Sequence, residues 1–337
     1  PHQMMSALHA RVLQHPSIHY QCETAANALV TDPVTRRVIG VEVQNHDQRM
    51  RVLANKGVII ATGGFTRNPS LVQKFAPELT GAPAWGGEGN TGDGLTMGWS
   101  LGADMIDMGY VTATFGVAIN HYPDATVHPG DALFLRMAMY RGGIAVNLNG
   151  QRFANESLSY KTLATLCLAQ PKAIAFQIFD QSVMDQSVSN PSVNDFRGVL
   201  KRGIVRQAPT LEELAIKVGL DPLALTKTVA HYNEMIRNGE DTDYGRKTLG
   251  GGWGEPVSLT QEPWYALPCS AALLSTYCGL RVDTKMQVID VSGYPISGLY
   301  AVGEVTGGFH GAGYMSGSSL GKCVIFGRIA GQMAAEK

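Results

Sequence analysis

Charge is scarce in this chain. Asp, Glu, Lys and Arg together make 16% of its 337 residues, against roughly a quarter in an average soluble protein. So low a charge fraction excludes a disordered, solvating chain. The formal net charge is −1, which leaves no general attraction for nucleic acid or for an acidic membrane surface. Cysteines number five, at 22, 167, 269, 278 and 323. The set is odd and scattered and contains no CxxC, which argues against a disulfide framework, a zinc site or a haem attachment. Thiols left free point to a reducing compartment, the cytoplasm. No apolar run is long enough to span a bilayer. There is no internal repeat and no low-complexity tract. A secretory leader is also lacking, but the chain opens at Pro1 directly in a helical pattern, so an N-terminal portion is expected before it.

Glycine, by contrast, is abundant: 39 residues, well above the usual ~7%. Many glycines with few charges suit a well-buried enzyme whose backbone lies close to a ligand. The length predicts two domains. A helix is expected over 4–13, a strand over 17–23, and a hairpin over 30–43 continued at 50–53. The run Gly57-Val-Ile-Ile-Ala-Thr-Gly-Gly64 is continuously apolar, as in a strand covered on both faces of a parallel sheet. Composition changes after Phe65. Residues 1–65 and 284–337 are read as one nucleotide-binding domain, with a mixed α+β domain, 66–283, inserted between them. Within the insert, Asn149-Gly150 marks a hairpin turn. Thr210-Leu-Glu-Glu213 reads as a capping box for a helix to 218, and Asp221-Pro222 opens a helix to 237.

Three loops carry the chemistry. Ala61-Thr62-Gly63 ends a strand. Thr91-Gly92-Asp93 opens a helix. Gly303-Glu304 ends a second strand and leads through a Gly/Ser-rich loop into a helix from about Leu320 to Ala335. Bare amides and a helix N-terminus at a strand's carboxyl end are where open α/β folds bind anionic or electron-poor ligands. The acid at the strand end suits a ribose or ribitol hydroxyl.

With these loops in this order, and Arg152-Phe-Ala-Asn-Glu156 between them, nearly all of the chain resembles the FAD-dependent family of soluble fumarate reductases, urocanate reductases and 3-ketosteroid dehydrogenases. The resemblance implies an α/β, Rossmann-like FAD-binding domain built from two distant segments and covered by the inserted cap. It places Ala61, Thr62, Gly63, Thr91, Gly92, Asp93, Gly303, Glu304, Ser318, Ser319 and Leu320 along FAD, with His310 shaping the flavin loop. One departure is large. The family's GxGxxG pyrophosphate turn is absent, so the chain reads as the carboxyl-terminal two-thirds of a longer flavoprotein. Losing that turn costs several kcal/mol of FAD binding.

The resemblance also bears on the substrate. Residues that grip and protonate a dicarboxylate in the fumarate reductases fall here on Thr114, Tyr160, Ser275 and Tyr314, all uncharged. A buried dicarboxylate would lack its charge partners. Asn155-Glu-Ser-Leu-Ser-Tyr160 and Tyr314-Met-Ser316 resemble ketosteroid dehydrogenase motifs instead, in which tyrosines do the proton chemistry. The reaction implied is hydride transfer between flavin N5 and a C–C bond next to a carbonyl, on a 3-ketosteroid or similar apolar enone. Tyr160 or Tyr314 is expected as acid or base, with Ser316 and Ser275 in support and Tyr277 a third candidate. The runner-up is a small unsaturated acid with one carboxylate, held by Arg136 or Arg141. A rival of another class is a flavin-free, inactive fragment. Arg141 and Arg152 flank the hairpin, and a structural ion pair with Glu156 is expected of them. Met137 and Met139, with Phe134 and Leu135, suit either core or an apolar substrate wall. No metal site is expected at His121 and His128. The partners implied are a small-molecule substrate and an electron donor or acceptor.

Overall fold

A computed structural model describes residues 2–124, 134–311, 313–315 and 317–336. The chain forms two compact units, Pro1–Gly64 with Gly92–Met108 and Tyr277–Lys337, and Phe65–Thr91 with Gly109–Thr276. Against the sequence boundaries, 92–108 and 277–283 therefore fall with the first unit. The reason is local: the Gly92 amide donates to the Gly64 carbonyl (3.0 Å), and Gly279–Leu280 pairs with Met105–Ile106.

In the first unit, Thr24–Thr31, Val38–Asn45 and Gln48–Leu53 form an antiparallel sheet. Its first turn is held by Asp32 Oδ1, which accepts from the amides of Val34 (3.1 Å) and Thr35 (2.7 Å). The strand expected over 17–23 is absent; that stretch is exposed and irregular, and pairing begins at Thr24. A second sheet runs Gln287–Ile289, Pro295–Ala301, Val58–Ile60, the last two parallel. The expectation of a strand covered on both faces needs correction: Val58–Ile60 is only three residues long, lies at the sheet's end, and leaves Ile59 39% exposed. Helix Ser318–Glu336 seats Phe326, Ile329, Ala330 and Met333 against Met286, Tyr300 and Val302. The spacing of those helical residues is the one-faced apolar period.

The second unit is built on an antiparallel sheet, Val111–Ala118, Trp264–Thr276, Ala175–Phe179, Ile144–Asn147, with Arg206–Ala208 also on the long central strand. Helices Leu211–Val218 and Pro222–Arg237 pack on this core through Leu214, Ala215, Leu225 and Val229. Both start as the sequence indicates: Thr210 Oγ1 accepts from the Glu213 amide (3.2 Å), and Asp221 Oδ1 from that of Leu223 (2.9 Å). The Asn147–Gly150 turn forms, but its second arm is not a strand and makes a single bridge, Val146 to Arg152. Arg152 is drawn instead into a buried ionic cluster, 2.8 Å from both Glu156 and Asp241, with Arg246 3.4 Å from Glu156. The expected Arg152–Glu156 pair is thus present.

Among the described residues, no helix is long and apolar enough to cross a membrane. Nor does any group of three or more His, Cys, Asp or Glu stand in position to hold a metal.

Candidate active site

The first unit gathers its predicted loops at the carboxyl ends of two parallel strands. The Val302 amide donates to the Ile60 carbonyl (2.9 Å). Gly303 follows with φ +74 and Gly92 caps helix Asp93–Ser100 with φ +81, left-handed conformations that favour glycine. A Cβ at Gly94 would overlap the side-chain atoms Thr62 Oγ1 and Ile60 Cγ2, so the helix packs on them only with glycine here. Ala61, Thr62, Gly63, Gly92, Asp93, Gly303 and half-buried Glu304 therefore lie on connected backbone. Thr91, at the edge of the second unit, accepts from Asn68 Nδ2 through its carbonyl (2.8 Å).

Two buried polar atoms here lack a protein partner: Thr62 Oγ1 and His310 Nδ1. Buried polar groups are nearly always hydrogen-bonded, so such orphans mark a place for a ligand. His310 Nε2 lies 3.0 Å from Ser318 Oγ, at the start of the carboxyl-terminal helix whose first turn also carries Ser319 and Leu320. Burial, then the Lys322 ammonium, lower the His310 pKa and keep its imidazole neutral. Lys322 is itself buried, donates to the Thr306 carbonyl and stands over Phe309 and Phe326. Desolvation brings it down to about 8.

Tyr277 and Tyr314 come together in this loop. Their rings stack at 5.1 Å and 5°, and His310 leans on both, at 5.1 and 5.4 Å. The Gly317 amide donates to the Tyr314 hydroxyl (3.3 Å). Ser316 and His128 lie outside the described residues.

Tyr160 and Ser275 belong to the second unit. Ser159 Oγ accepts from the Thr162 amide (3.2 Å) and so starts helix Tyr160–Leu168. In its first turn stands Lys161, which the sequence reading missed. Its Nζ donates to Thr114 Oγ1 at 2.7 Å and lies 5.4 Å from the centre of the Tyr160 ring. Thr114 is only 2% exposed. Desolvation lowers Lys161 to about 8. Ser275 is registered opposite position 112, past an irregularity in the strand pairing between Leu273 and Ser275, while Thr114 pairs with Ala272. A signal was available: a lysine in a helix's first turn opposes the helix dipole.

Of the two arginines expected to hold a carboxylate, Arg136 is engaged elsewhere and Arg141 is exposed. Arg136 Nε donates to the Asp195 carbonyl (3.0 Å), its Nη1 to that of Leu135 (2.9 Å), and it pairs with the Asp195 carboxylate. Arg141 is exposed, as is His121. Met137 and Met139 are buried, with Phe134 and Leu135 half-buried beside them in sequence.

A family profile described as an FAD binding domain matches residues 1–320. The chain is 35% identical over 279 residues to the fumarate reductase (cytochrome) of Shewanella frigidimarina, covering 83% of this chain and 45% of that protein. It is 32% identical over 312 residues to the 4-oxocyclohex-2-ene-1-carboxylate 5-dehydrogenase of Sinomonas cyclohexanicum, over 85% of this chain and 52% of that one. The solved open conformation of a flavocytochrome c3 fumarate reductase matches with a TM-score of 0.81 at 29% identity, over 99% of this chain and 55% of that chain. The 3-ketosteroid-Δ4-(5α)-dehydrogenase of Rhodococcus jostii RHA1 matches at 0.66 and 29%, over 95% and 61%. The chain spans about half the length of the curated relatives it matches. Glycine-bare strand ends, orphaned polar atoms and the family match agree: the chain belongs to the FAD-binding-domain flavoproteins, and its cofactor is FAD.

Proposed function

We propose that the protein is an FAD-dependent oxidoreductase acting on a C–C bond adjacent to a carbonyl, in a substrate with no more than one negative charge. FAD, when bound, supplies the hydride acceptor or donor. Loops 61–63, 91–93 and 303–304, with His310 and the first turn of helix Ser318–Glu336, would hold it. Thr62 Oγ1 and the neutral His310 Nδ1 offer it hydrogen bonds.

The observation that carries this reading is the Tyr277–Tyr314–His310 cluster. A phenol stands in the flavin loop where, by resemblance, the fumarate reductases place an arginine. Tyr314 moves the proton at the carbon next to the carbonyl, and the stacked Tyr277 ring holds it in place. Tyr160 is the second phenol able to serve.

Two of the similar proteins are named for, or solved with, cyclic ketones, 4-oxocyclohex-2-ene-1-carboxylate and 4-androstene-3,17-dione. A 3-ketosteroid or similar apolar cyclic enone is accordingly the leading substrate. A second reading, an unsaturated acid with a single carboxylate, is favoured by one observation, the Lys161 ammonium on Thr114. Fumarate itself fits poorly, because burying a second carboxylate without a partner costs several kcal/mol.

The test is Tyr314→Phe in the FAD-loaded protein. Anaerobic bleaching of the flavin by a saturated cyclic ketone is expected to slow about 10²–10⁴-fold, with flavin absorbance unchanged. Bleaching at the native rate would remove Tyr314 from the chemistry.

A further inference from the structure

We propose that His310 is a fixed hydrogen-bond acceptor: its imidazole is held with the proton on Nε2, and its Nδ1 lone pair takes an N–H or O–H donor of the bound flavin. This assignment rests on the flavin site proposed above and adds the polarity of one contact and the chemistry of the group that makes it. Ser318 Oγ lies 2.6 Å from the Met315 carbonyl oxygen and 3.0 Å from His310 Nε2. Two oxygens that close need a proton between them, and a carbonyl has none to give. The Ser318 proton is therefore spent on Met315. Ser318 can then only accept from His310, so Nε2 carries the ring proton. A neutral imidazole has one N–H, which leaves Nδ1 a bare lone pair.

Nδ1 is itself buried and has no hydrogen-bond partner. Tyr277, Tyr314 and Phe309 meet the imidazole through their rings, at 5.1, 5.4 and 4.8 Å between centres. The Lys322 ammonium is directed to the Thr306 carbonyl and, with burial, keeps the imidazole neutral. A phosphate or carboxylate oxygen placed against Nδ1 would set lone pair against lone pair and leave the orphan unsatisfied. Only a donor fits. The oxidised isoalloxazine ring carries a single N–H, on its imide, among several acceptors, and the ribityl and ribose parts carry hydroxyls. These are the cofactor groups with the required chemistry. The backbone amides of the strand-end loops suit its acceptors, and His310 receives a donor.

The test is nitrogen NMR of the 337-residue chain labelled at its histidine ring nitrogens, run near neutral pH alone, with FAD, and with FAD methylated at the imide nitrogen. Comparison with His310→Asn assigns the His310 signals among the nine histidines. The free chain is expected to show Nε2 protonated and Nδ1 bare. FAD is expected to move Nδ1 toward the shift of a hydrogen-bonded acceptor and to leave the proton on Nε2. A proton on Nδ1 in the free chain, or an Nδ1 unmoved in the flavin-saturated chain, overturns the proposal. With the methylated FAD bound, loss of the Nδ1 shift identifies the imide N–H as the donor, and a retained shift identifies a hydroxyl. Flavin titration gives a second readout. An Asn at 310 can set its amide oxygen near the Nδ1 position, whereas a Gln reaches toward Ser318 and leaves that position empty. His310→Gln is expected to weaken FAD about 5-fold, the worth of one hydrogen bond, and His310→Asn to keep most of the affinity; the reverse order overturns the proposal. Flavin absorbance of the same samples separates the two readings. A chain with bare Nδ1 that binds no flavin removes the flavin assignment, and with it the donor named here, while the tautomer stands. A flavin-loaded chain with its proton on Nδ1 removes the acceptor and keeps the flavin.

Discussion

At Thr62 a hydroxyl is buried without a protein partner, and the adjoining Gly94 has no room for a Cβ. A buried orphan of this kind costs about 1–3 kcal/mol unless a ligand satisfies it. Thr62→Val removes the orphan at nearly constant shape. The flavin-free variant is expected to melt at or above the native temperature, while FAD binds about 5-fold more weakly, the worth of one hydrogen bond. Equal FAD affinity in a titration would contradict the role given to Thr62. Gly92 and Gly303 were legible in the sequence because only their backbone conformation is asked of them. Lys161 was not, because its meaning depends on Thr114, 47 residues away along the chain.

Helices were read best where a polar side chain sets their start. Thr210 and Asp221 both cap as their spacing indicates. Thr210→Ala is expected to cost about 1 kcal/mol in denaturant unfolding. Strands fared worse. The stretch 17–23 has strand-like residues but gains no partner, and the arm after Asn149-Gly150 yields to the pull of two carboxylates on Arg152. The turn itself forms, and tertiary charge pairing outweighs strand pairing beyond it. Glu156→Gln removes a charge that faces two arginines and is expected to destabilise by about 3–5 kcal/mol, measured as a fall in the unfolding midpoint. A loss under about 1 kcal/mol would show that the cluster is solvated rather than buried.

Across the whole molecule, two lysines in different units share one property. Desolvation lowers both Lys161 and Lys322 from 10.5 to about 8. A lysine with a depressed folded pKa is charged in both states below about 8 and neutral in both above 10.5. Between those limits the unfolded chain holds more protons, so these groups make stability rise with pH. Cys269 and Cys278, raised to about 12 by burial, act in the opposite sense above 9. Comparing native chain with Lys322→Met isolates the lysine: the native chain is expected to gain stability relative to the variant as pH rises from about 8 to 10.5. A constant gap in chemical unfolding would contradict the burial of Lys322.

The proposed division into a flavin-binding part and an insert rests on the change of composition after Phe65. The return of 92–108 to the first unit was not legible there, because it depends on the Gly92–Gly64 contact and a two-residue strand pair. In the proposed site, FAD is held by the strand-end loops of the first unit. The most direct test is an equilibrium titration of the 337-residue chain with FAD, followed by its visible spectrum after desalting. Saturable binding of one flavin per chain is expected, with a retained and shifted flavin band. A colourless chain with no saturable binding would contradict it.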